Sequence, residues 1–256
     1  MITRKSPSEI EKMRKSGLLV YQILQELAKR VEAGVTTQDL EVLAEKMIRD
    51  AGAKPAFKGY YVPAAGARYP FVLCTSVNHE IVHGMPSARR ALQRGDIIKI
   101  DTGVELDGYF GDSALTVPVG EISDSLRRLL QVTRESLELA IAQARPGNRL
   151  FDISGTVEKH VVKNGFSIVR EFVGHGIGVK LHEEPQVPNY IDRQHENPRL
   201  KEGMVLAIEP MVNEGKPGSK VLPDRWTAVT TDGKCSAHFE HVVAVTAEGP
   251  WVLTRP

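Results

Sequence analysis

Two cysteines, Cys74 and Cys235, are all that 256 residues contain, too few for a disulfide framework and without the spacing of a zinc motif. No apolar run approaches the roughly 18 residues that a membrane span needs. The first residues, MITRKSPSEIEKMRKSG, lack the apolar centre of a secretory signal. An excess of charge of one sign is also missing. Lys and Arg number 33 against 32 Asp and Glu, so there is no electrostatic footprint for nucleic acid. Low-complexity segments and long linkers are absent. The expectation is a cytoplasmic globular protein, a monomer by default, with neither nucleic acid nor membrane as partner. At 41% hydrophobic the chain can bury a substantial core, as a single domain over 1–256 or as two intimately packed halves.

What is present is organised around residues 97–117, IIKIDTGVELDGYFGDSALTV. The Asp107-Gly108 pair between two alternating runs predicts a hairpin with a two-residue loop, because a type I′ turn needs φ > 0 at both central positions. That register puts Ile98, Ile100, Val104, Leu106, Tyr109, Leu115 and Val117 on one face. On the other face Asp101 lies opposite Ala114, and Gly103 opposite Asp112. The two acids become diagonal neighbours, with Cβ atoms roughly 7 Å apart. A solvated sheet face would tolerate them. A shared divalent cation would turn their repulsion into attraction.

In chain order, Ser6-Pro7-Ser8-Glu9 predicts a capping box opening a helix that Gly34 ends. Thr36 with Asp39 opens a second helix, which stops at Gly52. The strand FVLCTSVN and then HEIVHGMP lead into the acidic hairpin. Ser123 caps a third helix ended by Pro146-Gly147, and a fourth runs from 151 to 163. Beyond it lie FSIVREFVGHGIG, the strand MVLAIEP and a second expected hairpin, WTAVTTDGKCSAHFEHVVAV, turning at Asp232-Gly233. The order helix, helix, strands, hairpin thus occurs twice, over about 7–120 and 121–253. Gly34, Asp39 and Gly52 recur as Gly147, Asp152 and Gly165, and Gly95 and Asp101 recur as Gly203 and Glu209. A pseudo-twofold arrangement of the halves would bring Asp101 and Glu209 to one central site.

Glu209 ends an apolar strand before Pro210, and Glu240 lies in SAHFEHVVAV on the return strand of the second expected hairpin. Four converging carboxylates would cost many kcal/mol or force protonation. The motifs hold no Arg or Lys except Lys99, so a pair of divalent metals answers the charge best. His175, in GHGIG, is flanked by glycines that let the backbone turn tightly. His182 follows in LHEEP, and His83 lies in VHGMP. His79, His160, His195, His238 and His241 have no such setting and are expected to be ordinary surface or core residues.

The blocks NHEIVHGMP, IDTGVELDGYFGD, GHGIGVKLHEEPQVPNY, EGMVLAIEPMVN and SAHFEH resemble, in order and spacing, the signature blocks of type I methionine aminopeptidases. The resemblance implies the α+β pita-bread fold, a pseudo-twofold antiparallel sheet flanked by two pairs of helices around a central dinuclear site. It implies Asp101, Asp112, His175, Glu209 and Glu240 as metal ligands, with Asp112 and Glu240 bridging. The donor set suits Mn, Fe(II), Co or Zn without choosing among them. By the same resemblance Glu209 shuttles the proton of the attacking water, His182 donates a hydrogen bond to the scissile carbonyl, and His83 contacts the substrate backbone. The substrate's α-amine would bind a metal. Tyr60, Tyr69, Cys74 and Trp226 would hold the methionine side chain, with Phe57 and Leu181 at the edge. Phe57 stands where many bacterial members carry Cys, Leu181 where many carry Phe, and the 61–68 stretch is longer than in the shortest members. The substrate implied is a nascent or newly made protein with a small second residue, met near the ribosome exit. Two alternatives stand beside this reading. One is an Xaa-Pro aminopeptidase or prolidase, whose usual further N-terminal domain is not expected here because the first helix opens at Ser6. The other is a non-catalytic binding homologue, which would be expected to have lost ligands.

Overall fold

Both capping boxes form as the sequence predicts, and they set the orientation of the first helix pair in the computed structural model, which describes residues 2–194 and 196–256. Helix α1 (Pro7–Arg30) begins with the Ser6 hydroxyl accepting the Glu9 amide while the Glu9 carboxylate accepts the Ser6 amide. In α2 (Thr37–Asp50), Thr36 and Asp39 exchange the same two bonds. Helix α1 stops at Arg30, short of the expected Gly34, because Val31 turns extended. The chain then reaches the neighbouring loop, where the Gly34 amide donates to Leu92 O and the Leu92 amide to Val35 O. Helices α3 (Asp124–Ile141) and α4 (Leu150–Lys163) form the second pair. No helix is long and apolar enough to cross a membrane among the described residues.

The acidic hairpin has the predicted register. Strands Ile97–Leu106 and Tyr109–Pro118 pair Asp101 with Ala114 and Gly103 with Asp112, without a bulge. The strand Leu73–Val77 lies on the other side of Ile97–Leu106 and places Cys74 opposite Asp101. One face of this sheet packs on α1 and α2 through Ile98, Ile100 and Val104 with Val20, Leu24, Leu27 and Leu40. Contact of the hairpin with α1 is close enough that a Cβ on Gly111 would sit 2.6 Å from Ser16 C, and on its other side Gly17 is packed directly against Leu253 O near the C-terminus.

The second half repeats this plan, with α3 and α4 on a core that includes Leu206, Ile208 and Val243. Its central strand Val205–Ile208 lies between Gly174–Gly176 and His241–Thr246. The pseudo-twofold extends to individual backbone bonds. The bridge between Thr36 and Ala91 recurs between Arg149 and Arg199. The bond from Gly34 N to Leu92 O recurs from Gly147 N to Leu200 O, and that from Gly95 N to Val119 O recurs from Gly203 N to Val245 O. Gly34 and Gly147 have φ of 96° and 93°, values that explain why glycine stands at both.

The second expected hairpin does not form. Strand Ala228–Thr230, before the Asp232-Gly233 turn, pairs with Ser219–Val221 and with Glu80–Val82 of the first half. The segment after the turn pairs instead with residues 205–213, Met211 opposite His238 and Ile208 opposite His241. Between these ladders the pairing loosens: Phe239 N keeps only a long bond to Pro210 O, 3.5 Å, and Glu240 leaves it. There Pro210 has no amide to donate, and Glu240 N turns to Ala114 O across the seam between the halves.

Candidate metal centre

The seam brings the four acids together. Strand Tyr109–Pro118 of the first half and the 236–246 segment of the second meet at this seam. Ser113 Oγ donates to Glu240 O, Thr116 Oγ1 to His238 O, and His238 N to Thr116 Oγ1. Asp101 and Asp112 therefore enter one cavity from the first half, and His175, Glu209 and Glu240 enter it from the second. The cavity has a volume of about 630 Å³.

Asp112, His175 and Glu240 are buried, and each offers a ligand atom within 4.8 Å of the other two. His175 Nδ1 lies 2.9 Å from Gly176 O. Donation of its proton there leaves the Nε2 lone pair free, 3.9 Å from Asp112 Oδ2 and 3.7 Å from Glu209 Oε1. Two ligand bonds of about 2.1 Å meeting at an open angle span such separations. Asp101 Oδ1, Asp112 Oδ1 and Glu240 Oε1 are buried without a hydrogen-bond partner. Polar atoms enclosed in that way call for an ion.

Burial raises the titration of Asp101 to about 7. It pushes Asp112, Glu209 and Glu240 well above the usual carboxylate range, and repulsion from neighbouring acids adds to each. The same burial drives His175 down to about 3, so its imidazole is neutral, as a ligand must be. Lys99 does not supply the missing charge. Its buried amine donates to Asn78 O and Ser236 O, and burial lowers it to about 7. No lysine or arginine forms an ion pair with any of the four acids among the described residues. The site fits divalent cations.

His182 and His83 line the same cavity. Tyr60 Oη is 2.7 Å from His182 Nδ1; a phenol donating there puts the imidazole proton on Nε2. Burial lowers both histidines, His83 to about 4 with His182 adding to the effect, so both are neutral. Tyr69, Cys74, Trp226, Phe57 and Leu181 also line the cavity. Tyr69 packs edge-on against Trp226 with ring centroids 5.1 Å apart, and its hydroxyl is tied to Leu73 O and Gly84 O. The 61–68 stretch is a small hairpin, Tyr61–Val62 with Ala67–Arg68, whose turn faces the cavity through Val62, Pro63 and Ala64.

A model described as metallopeptidase family M24 matches residues 11–247. The chain belongs to that family. Among its M24 relatives, Methionine aminopeptidase 1 of Bacillus subtilis is 50% identical over the full length of both chains. A solved structure, the methionine aminopeptidase of Thermotoga maritima, superposes with a TM-score of 0.95 at 44% identity, again covering both chains completely. The prolidase of Pyrococcus furiosus has a TM-score of 0.76 at 23% identity, with 99% of this chain covering 65% of that one. That likeness concerns the fold alone.

The sequence singled out neither of two residues near the acids, one in the cavity wall and one outside it. Phe172 packs on His83 with ring centroids 5.4 Å apart and lines the cavity. His238, expected to be ordinary, is 1% exposed and sits 3.7 Å from Glu209 Oε2. The repeat held a signal for it. With Asp101 mapping to Glu209 and Val119 to Val245, the paired registers carry Ala114 onto Glu240 and Asp112 onto His238. Matching the two Asp-Gly turns concealed that relation. Of the other histidines set aside, His160 bonds Glu135 and His241 bonds Thr254, His79 is half-buried, and His195 lies outside the described residues.

Proposed function

We propose that this protein is a metallo-aminopeptidase that removes the initiator methionine from nascent or newly made proteins, with Asp101, Asp112, His175, Glu209 and Glu240 holding two divalent ions. The single observation that supports this most is the cluster of four acids, two buried and two half-buried, with one neutral imidazole and no counter-charge, at the end of an aromatic-lined cavity in an M24 chain. Mn, Fe(II), Co and Zn all suit the donor set. When bound, such ions supply a strong nucleophile from water near neutral pH and polarise the scissile carbonyl.

The chain's own groups do the rest. A free α-amine has a lone pair to offer a bound ion and the amide nitrogen of an internal peptide has none, so cleavage would be confined to the N-terminus. The methionine side chain enters the slot of Tyr60, Tyr69, Cys74 and Trp226, where a flexible thioether packs well on rings; Phe57 and Leu181 close its edge. Glu209 accepts the proton of the attacking water and returns it to the leaving amine. His182, its Nδ1 held by Tyr60, donates from Nε2 to the carbonyl oxygen as negative charge develops there. His83 contacts the peptide beyond the scissile bond, and a tight wall there selects a small second residue. Residues 1–256 act as a single catalytic domain and as a monomer, on chains emerging near the ribosome exit in the cytoplasm.

The test is hydrolysis of Met-Ala-Ser against Ala-Pro-Ala by metal-stripped protein with each metal restored. Metal-dependent methionine release, lost in Asp112→Asn, is the expected result. Cleavage before proline instead would transfer the protein to the prolidase side of the fold.

A further inference from the structure

His238 is enclosed, and neither of its ring nitrogens has a hydrogen-bond partner. An unpaired imidazole buried to that degree costs folding free energy unless it has a task. Its backbone cannot drift, because Thr116 holds both its amide and its carbonyl, and Met211 pairs with it in the ladder. The nearest acidic group to its ring is Glu209. Glu209 Oε2 lies 3.7 Å from His238 Nε2, and Oε1 lies 3.7 Å from His175 Nε2. The Glu209 carboxylate is therefore spanned by two imidazoles, one at each oxygen. His175 lines the cavity, whereas His238 is not part of its wall. The pseudo-twofold gives a reason for an active group at this place, since His238 is the positional mate of Asp112 in the other half.

We infer that His238 is a positioning residue for Glu209, its Nε2–H donating to Oε2 and so turning Oε1 towards His175 and the metal. A separation of 3.7 Å is a few tenths of an ångström beyond hydrogen-bond range, a gap that a small torsion of either side chain closes. The donor fixes which oxygen of Glu209 is free to ligate and to carry the proton. Such outer partners of ligating groups typically matter by 10–100-fold in metal affinity or activity. The inference rests on the metallo-aminopeptidase reading given above.

The experiment compares wild type with His238→Ala and His238→Gln. Mn²⁺ binding to the metal-stripped proteins is measured by calorimetry, and kcat and KM on Met-Ala-Ser are measured with Mn²⁺. Urea melts of the stripped proteins establish that each variant is folded. The glutamine amide is a donor of comparable reach and cannot serve as an imidazole ligand. The expected result is Mn²⁺ affinity and kcat both lowered 10–100-fold in His238→Ala, KM nearly unchanged, and most of the loss restored in His238→Gln. An alanine variant that binds Mn²⁺ and turns over like wild type overturns the inference. So does equal impairment of both variants, which would make the ring itself a ligand or a packing element. Wild type separates the two readings: if it binds no Mn²⁺ and releases no methionine, the proposed function fails first.

Discussion

Replacing Asp101 by asparagine should stabilise the metal-free protein while abolishing its use of metal. In the fold Asp101 titrates near 7, against 3.8 for an ordinary aspartate, because burial penalises its charge. The folded value is raised, so its contribution to stability is complete below pH 3.8 and is lost as pH rises through 7. That difference corresponds to about 4 kcal/mol. Asp101 is only half-buried by surface, although its Oδ1 is fully enclosed. Discounting for the solvent it meets leaves roughly 2 to 4 kcal/mol. Asparagine has the shape without the charge, and comparison with wild type cancels every titration the two proteins share. The stability advantage of Asp101→Asn, from urea melts after exhaustive chelation, should grow by roughly 1 to 2 kcal/mol between pH 5 and pH 8. Asp112, Glu209 and Glu240 are also raised, so they push in the same direction. Adding Mn²⁺ should reverse the order. A ligand at 100 times its Kd stabilises the protein that binds it by about 2.7 kcal/mol, and the asparagine variant should gain little of this. An advantage that stays flat or shrinks as pH rises would refute the reasoning, because desolvation of ionised Asp101 would then not be what the fold bears.

Three further outcomes follow from individual contacts. Tyr60→Phe removes the donor at His182 Nδ1 and should lower kcat on Met-Ala-Ser by about tenfold, against 10²–10³ for His182→Ala; equal kcat in Tyr60→Phe and wild type would separate the phenol from catalysis. Glu41, a buried acid that accepts the amides of Val72 and Leu73, should cost about 2 kcal/mol or more when changed to alanine, since two buried amides lose their acceptor; urea midpoints would show it, with Glu41→Gln recovering part. Gly17→Ala forces a methyl to 2.3 Å from Leu253 O and should cost about 1–3 kcal/mol, read as a lower Tm with unchanged kcat in the protein that remains folded.

The parts of this fold that could be read in the sequence are those whose determinants lie a few residues apart. Asp107-Gly108 leaves its two strands a single in-register pairing, so the facing of Asp101 and Asp112 came out to the residue. Ser6 with Glu9 and Thr36 with Asp39 located two helix starts because each box is completed within four residues. Asp232-Gly233 carries the same turn signal and misled, since strand Ala228–Thr230 finds its partner almost 150 residues earlier, in Glu80–Val82. No local pattern encodes a preference so distant. His238 was passed over for a related reason: its setting is made by Thr116 and Glu209, neither of which is a neighbour in sequence. The small 61–68 hairpin has strands of two residues each, too short to show an alternating pattern, and it is the cavity that shows where it faces.

The Glu240 amide reaches across the seam to Ala114, and the acids on either side of that bond come from different halves. Neither half can therefore assemble the metal site alone. An ion bound there would tie the two halves together at the point where the chain's own contribution is repulsive, so binding and the joining of the halves become one event. Loss of either half's packing would release the ion and end catalysis at once. Activity in this protein would then report the integrity of the whole chain, with no partly unfolded species able to cleave peptides unchecked.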